Sequence, residues 1–127
     1  MAKKIVSTDS APSAIGAYSQ AVIAGDQVYI SGQIPLDPVS MEVDGDEFAQ
    51  QARRVFTNLA AVAEAAGSGL ADAIKLTVYL TDLNDFAELN SIMDEFIPPP
   101  YPARAAVQVA ALPKGVKVEI DAVLYLG

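Results

Sequence analysis

Apolar residues recur along this chain with two different periods, and the switches between them divide it into elements. Lys3–Ser7 suggests a short first strand. Asp9–Gly16, built from serine, proline, glycine and alanine, suggests a loop. Tyr18–Ala24 and Gln27–Ser31 predict two strands joined at Gly25-Asp26, where glycine tolerates the positive φ of a tight hairpin. Gly32-Gln33-Ile34-Pro35 ends the second, and Leu36–Gly45, with Pro38 and mixed polarity, predicts a surface loop. Between Asp46 and Ala66 the period becomes helical. Phe48, Ala52, Val55, Phe56, Leu59, Val62, Ala63 and Ala66 fall on one face, with Asp46 as an N-cap and Gly67 as a stop.

From Ile74 to Leu80 the period drops to two. Ile74, Leu76, Val78 and Leu80 alternate with Lys75, Thr77 and Tyr79, as in a strand with one face buried. Thr81 or Asp82 then opens a second helix through Phe96, with Phe86, Leu89, Ile92, Met93 and Phe96 on one face. Pro98-Pro99-Pro100 stops it. Ala103–Val109 and Val116–Leu126 predict two last strands around Leu112-Pro113-Lys114-Gly115. The order β-β-β-α-β-α-β-β predicts an α+β two-layer sandwich in a single domain spanning residues 1–127, both helices covering one sheet. Ala106, Val123 and Tyr125 are expected on the other sheet face, where a second subunit is the natural cover.

Composition narrows the chemistry. The chain is 52% hydrophobic, which favours a homo-oligomer in so small a protein. Its net charge of −8 opposes nucleic acid, whose binding rests on cationic neutralisation of phosphates, and opposes anionic membranes. With no cysteine and no histidine, a disulfide scaffold, a thiol nucleophile and a Ser-His-Asp triad are excluded, and no metal or other cofactor is expected. The N-terminus has no signal-peptide core and no apolar run reaches membrane-spanning length, so the expectation is a cytoplasmic protein.

One arginine stands out. Arg53 and Arg54 lie on the polar side of the first helix, whereas Arg104 lies in an apolar strand, where a charge needs a partner. Paired antiparallel about Leu112, the last two strands would set Arg104 opposite Glu119. That cross-strand pair would either fix register or form a site in which a ligand carboxylate competes for the guanidinium. Pro102 leaves the start of this strand open, and Ala105 and Ala106 leave space beside the guanidinium. Taken singly, Tyr18 reads as a strand-face aromatic and Asn90 as a solvated helix residue. Ser31-Gly32 reads as a strand exit able to offer N–H groups to an anion.

Together these residues are specific. Ile15-Gly16-Ala17-Tyr18-Ser19-Gln20-Ala21, Tyr29-Ile30-Ser31-Gly32-Gln33-Ile34-Pro35-Leu36, Tyr101-Pro102-Ala103-Arg104, Leu112-Pro113-Lys114-Gly115 and Val118-Glu119-Ile120-Asp121-Ala122 resemble the RidA/YjgF family over nearly the whole chain. These are reactive-intermediate (imine/enamine) deaminases. The resemblance implies a chorismate-mutase-like fold and a homotrimer with sites in inter-subunit clefts. It implies hydrolysis of 2-iminobutanoate and 2-iminopropanoate to 2-oxo acids and ammonia. Carried over residue by residue, Arg104 would hold the substrate carboxylate and Glu119 would activate water. Tyr18, Ser31, Gly32 and Asn90 would line the substrate. Many members carry cysteine where this chain has Ala106, and proline where it has Ala17. No thiol is then needed, and the backbone of Ala106 is left as the polar contact. Paired to Arg104, Glu119 would be a weakened base until substrate displaced it. Two alternatives come from other classes: a non-catalytic trimer that binds or senses a small carboxylate, and a ribonuclease or translation inhibitor, which the net charge opposes.

Overall fold

The computed structural model describes residues 2–127. Its strands are β1 (Lys4–Val6), β2 (Ala21–Ala24), β3 (Gln27–Gln33), β4 (Ala73–Leu80), β5 (Ala103–Gln108) and β6 (Val118–Tyr125). Its helices are α1 (Phe48–Ala65) and α2 (Phe86–Phe96). The order along the chain matches the β-β-β-α-β-α-β-β expectation. The strands form one six-stranded sheet in the order β1-β2-β3-β6-β4-β5.

The two helices cover one face of this sheet. Ala21, Ile30, Leu76, Val78, Ile120 and Leu124 point into that layer and are buried against Val55, Phe56, Leu59 and Ile92 of the helices. Phe56 of α1 stacks on Phe96 of α2, with ring centroids 5.3 Å apart, and so ties the helices to each other. Phe56→Ala should destabilise the fold by about 3–5 kcal/mol, the usual range for emptying an aromatic site in a closed core. Chemical denaturation with an unchanged m-value checks it.

Local signals set the helix ends. After Ala66 the chain turns at Gly67 (φ 84°), where the Gly67 N–H bonds the Glu64 carbonyl and the Ser68 N–H bonds the Ala63 carbonyl, a Schellman closure. Asp46 does not cap α1; the N-cap is Glu47, with no side-chain cap bond. Asp82 instead accepts from the Asn84 N–H at 2.9 Å, capping a 3₁₀ turn that leads into α2.

Two strand expectations need correction. Ile74 does not share the buried side with Leu76: the β4–β6 register shifts between Ala73 and Lys75, leaving Ile74 exposed. More important, β5 and β6 are not a hairpin. β5 runs parallel to β4 at the sheet edge, and β6 inserts between β3 and β4. The three-proline turn after α2 lets the β4–α2–β5 unit close as a parallel crossover, as a helix joining two strands normally does. The open sheet face carries Ile5, Tyr29, Val107 and Tyr125, all exposed. Val123 and Tyr125 lie there as expected. Ala106 pairs with Val78 and so lies on the helix-covered side.

Candidate functional site

Arg104 lies on edge strand β5 opposite Leu76, and so on the helix-covered side of the sheet. Phe86, Asn90 and Met93 fall at i, i+4 and i+7 on α2, one stripe of the helix, and that stripe faces it. The guanidinium carbon sits 5.0 Å from the centre of the Phe86 ring. Arg104 Nη1 donates to Asn90 Oδ1 at 2.6 Å and lies 3.6 Å from Met93 Sδ. The other two arginines are satisfied by carboxylates: Arg53 forks onto Glu95 at 2.9 and 3.1 Å, and Arg54 reaches Asp44 at 3.0 Å. Arg104 is the one arginine without a carboxylate partner among the described residues. It opens onto a cleft of about 620 Å³ that Asn90, Met93, Asp94, Tyr101 and Pro102 also line.

Glu119 is elsewhere. On β6 it pairs with Tyr79 of β4, and on the other side of β6 a bulge in β3 stands opposite Asp121 and reaches the Glu119 side chain. Register slips between Ile30 and Gln33, so Ser31 and Gly32 together occupy the space of one residue. Gly32 lies directly against Glu119: a Cβ there would overlap the carboxylate. Burial raises the Glu119 carboxyl above its ordinary value of 4.5, and the nearby Asp121 charge adds to the rise. Gly32→Ala should leave the melting temperature within a few degrees, since the group in the way is a flexible side-chain tip. The added methyl should push the carboxylate aside and raise the exposure of Glu119. A crystal structure of the variant with Glu119 unmoved would contradict this.

The loop before β2 reaches the same bulge. Ser31 donates its N–H to the Gln20 carbonyl at 3.0 Å and its hydroxyl to the Ser19 carbonyl at 2.6 Å. Of the two N–H groups expected to face an anion, that of Ser31 is therefore already bonded. Tyr18 is not on a strand: β2 begins at Ala21, and the half-exposed Tyr18 ring accepts the Ile15 N–H on its hydroxyl at 3.1 Å. The buried Gln20 side chain fixes this loop. It donates to the carbonyls of Thr8, Ala11 and Pro12 and accepts from the Thr8 N–H. The sequence offered no signal for that role, because a glutamine beside an apolar run reads as surface.

The expected site residues thus form two groups. Arg104, Asn90 and Ala106 belong to the helix-covered side at the β5 edge, while Glu119, Gly32, Ser31 and the Tyr18 loop gather around the β3 bulge. Arg104 does not oppose Glu119. Leu76 aligns with Arg104 and Tyr79 with Glu119, three residues apart on β4, so the two side chains leave opposite faces of the sheet. The expected ion pair is absent among the described residues, and Glu119 is a stronger base than the sequence suggested. Phe86, Met93 and Tyr79, which flank the two charges, were legible only as core or strand residues.

No helix among the described residues is long and apolar enough to cross a membrane. A profile of the family described as Endoribonuclease L-PSP matches residues 8–126. A RutC family protein, y4sK of Sinorhizobium fredii, is 50% identical over 95% of this chain and 96% of its own length. The 2-iminobutanoate/2-iminopropanoate deaminase of Bos taurus is 44% identical over 100% of this chain and 93% of its own. The crystal structure of E. coli TdcF with bound serine is 45% identical, with a TM-score of 0.91 over 98% of this chain and 99% of that one. With a family profile spanning nearly all of the chain and relatives this similar over nearly their full lengths, the protein belongs to the YjgF/RidA family.

Proposed function

We propose that this protein hydrolyses short-chain 2-imino and 2-enamino acids, 2-iminobutanoate and 2-iminopropanoate among them, to 2-oxo acids and ammonia. The observation that carries this reading is the Arg104 guanidinium, without a carboxylate partner among the described residues and held by Asn90 and Phe86 at the mouth of a cleft. A planar fork without a carboxylate suits a small organic acid. Similarity to a relative named for this reaction, and to one crystallised with serine, supports the same ligand class.

Arg104 and Glu119 leave opposite sheet faces, so one chain does not complete the site. The reading therefore includes a homotrimer, in which the Arg104 cleft of one subunit meets the Glu119 bulge of its neighbour. The exposed apolar residues Ile5, Tyr29, Val107 and Tyr125 on the open face fit burial in that assembly.

In the reaction, Arg104 binds the substrate carboxylate and fixes the C=N carbon in front of a water. The water oxygen bonds to that carbon while Glu119 takes one of its protons. Glu119 then returns the proton to nitrogen. The hydroxyl proton follows as C=O forms, the C–N bond breaks, and ammonia leaves. A glutamate of raised proton affinity suits both halves of the exchange. The residues invoked are this chain's own: the carboxylate moves the proton and no covalent intermediate is required.

The test supplies 2-iminobutanoate in situ with a threonine dehydratase and follows 2-oxobutanoate release. Faster release, saturable in this protein and suppressed by excess 2-oxobutanoate, is expected. Release at the uncatalysed rate across the protein range would refute the reading.

A further inference from the structure

On the open face of the sheet, Glu119 and Asp121 stand two residues apart on β6 and so point the same way. Neither has a cation within salt-bridge distance among the described residues. Two half-buried carboxylates side by side, in a chain of net charge −8, repel each other and cost stability unless something holds them. One partner is present: the Tyr79 hydroxyl donates to Asp121 Oδ2 at 3.0 Å. Tyr79 is also the residue aligned with Glu119 across the β4–β6 ladder, so its ring reaches past Glu119 to the second carboxylate.

Resting on the function proposed above, we infer that Tyr79 and Asp121 are a positioning pair for the reaction: the phenol pins a second negative charge beside Glu119, keeping Glu119 able to hold a proton between taking it from water and returning it to nitrogen. Neither residue touches substrate in this role.

The surroundings favour this arrangement. On β4, Tyr79 is the neighbour, with Lys75 two side-chain rows further along. On β5 this face carries Ala103, Ala105 and Val107, and nothing titrates. On β3 the facing positions are the Ser31–Gly32 bulge, with Tyr29 beyond it, opposite Val123. Just before β6, Lys117 precedes Glu119 by two residues and is exposed. Within one chain, Asp121 is thus the charge that shares the enclosed part of the face with Glu119; in the assembly proposed above, the Arg104 guanidinium of the neighbouring subunit also faces it, engaged by the substrate carboxylate. Burial first and Asp121 second hold the Glu119 carboxyl above its ordinary range. The Tyr79 hydroxyl is held above its own ordinary value by burial and by its bond to Asp121, so it stays protonated and remains a donor.

Asp121→Asn removes the charge and keeps an oxygen for Tyr79. The midpoint of Glu119, read by ¹³C NMR of the labelled carboxyl and assigned with Glu119→Gln, should move to lower pH. The acidic limb of kcat/KM for 2-iminobutanoate should move by the same amount. Tyr79→Phe should change the midpoint in the unaltered protein but add nothing once Asp121 is Asn, because its effect runs through Asp121. An unmoved Glu119 midpoint in Asp121→Asn, with imine turnover intact, overturns the inference alone. So does a moved midpoint that leaves the pH profile in place, or a Tyr79→Phe effect that persists in the double variant. Absence of turnover by the unaltered protein overturns the functional proposal and this role with it, while the NMR titration still shows whether the two carboxylates interact.

Discussion

Arg104→Lys should lower kcat/KM for 2-iminobutanoate by roughly ten- to a hundredfold. That is the loss expected when one charge-assisted hydrogen bond of about 1.5–3 kcal/mol is removed from substrate and transition state. The charge survives the substitution. What disappears is the planar fork that can face a carboxylate with two parallel N–H groups. The bond to Asn90 Oδ1 and the seat on the Phe86 ring shape the same guanidinium, and an ammonium cannot use both. Because the contact forms with the bound acid before any chemistry, most of the loss should fall in KM, and a 2-oxo acid should inhibit the variant more weakly by a similar factor. Arg104 sits at an edge strand and outside the packed core, so the melting temperature should change little. Steady-state kinetics with product inhibition measures both effects. A variant within about threefold of the unaltered protein in both would remove the clamp from the proposal.

The sequence made the elements legible but not their pairing. Helix α1 announced itself because its apolar positions repeat through five turns and Gly67 ends it, and both signals are local. The place of β6 was invisible for the opposite reason. Val118–Tyr125 alternates equally well beside β5, beside β3 or between β3 and β4, and only the closure of the β4–α2–β5 crossover decides among them. The site shared that fate. Arg104 could be singled out because a charge in an apolar strand is costly, and Glu119 because it repeats that anomaly. Their relation could not be read, since it depends on which strands are neighbours, and the sequence put them face to face where the sheet sets them back to back. Asn90 lay within reach of a helical-wheel argument, being on the Phe86–Met93 stripe. Gln20, Tyr79 and the β3 bulge were not, because each acts through a contact with a residue distant in sequence.

Glu119→Gln should lower kcat for 2-iminobutanoate by about a hundred- to ten-thousandfold, the usual contribution of a positioned general acid–base. The amide is close in size and still fits against Gly32, so the bulge should persist and the fold with it. The substitution takes away a basic oxygen and little else. A carboxylate in the proposed role works as a base only when ionised, so activity of the unaltered protein should fall as pH drops through the Glu119 midpoint. Burial and Asp121 set that midpoint above the ordinary 4.5, and the acidic limb should lie correspondingly higher. In Glu119→Gln that limb should vanish, leaving a low rate that is flat across acidic pH. Arg104 is untouched, so a 2-oxo acid should still bind in calorimetry with nearly the original affinity. This combination also distinguishes an enzyme from a trimer that merely holds a carboxylate, which would have no turnover to lose. Retention of kcat with an unchanged acidic limb would show that another group moves the proton. The Tyr79–Asp121 pair, whose role runs only through Glu119, would then have nothing to act upon.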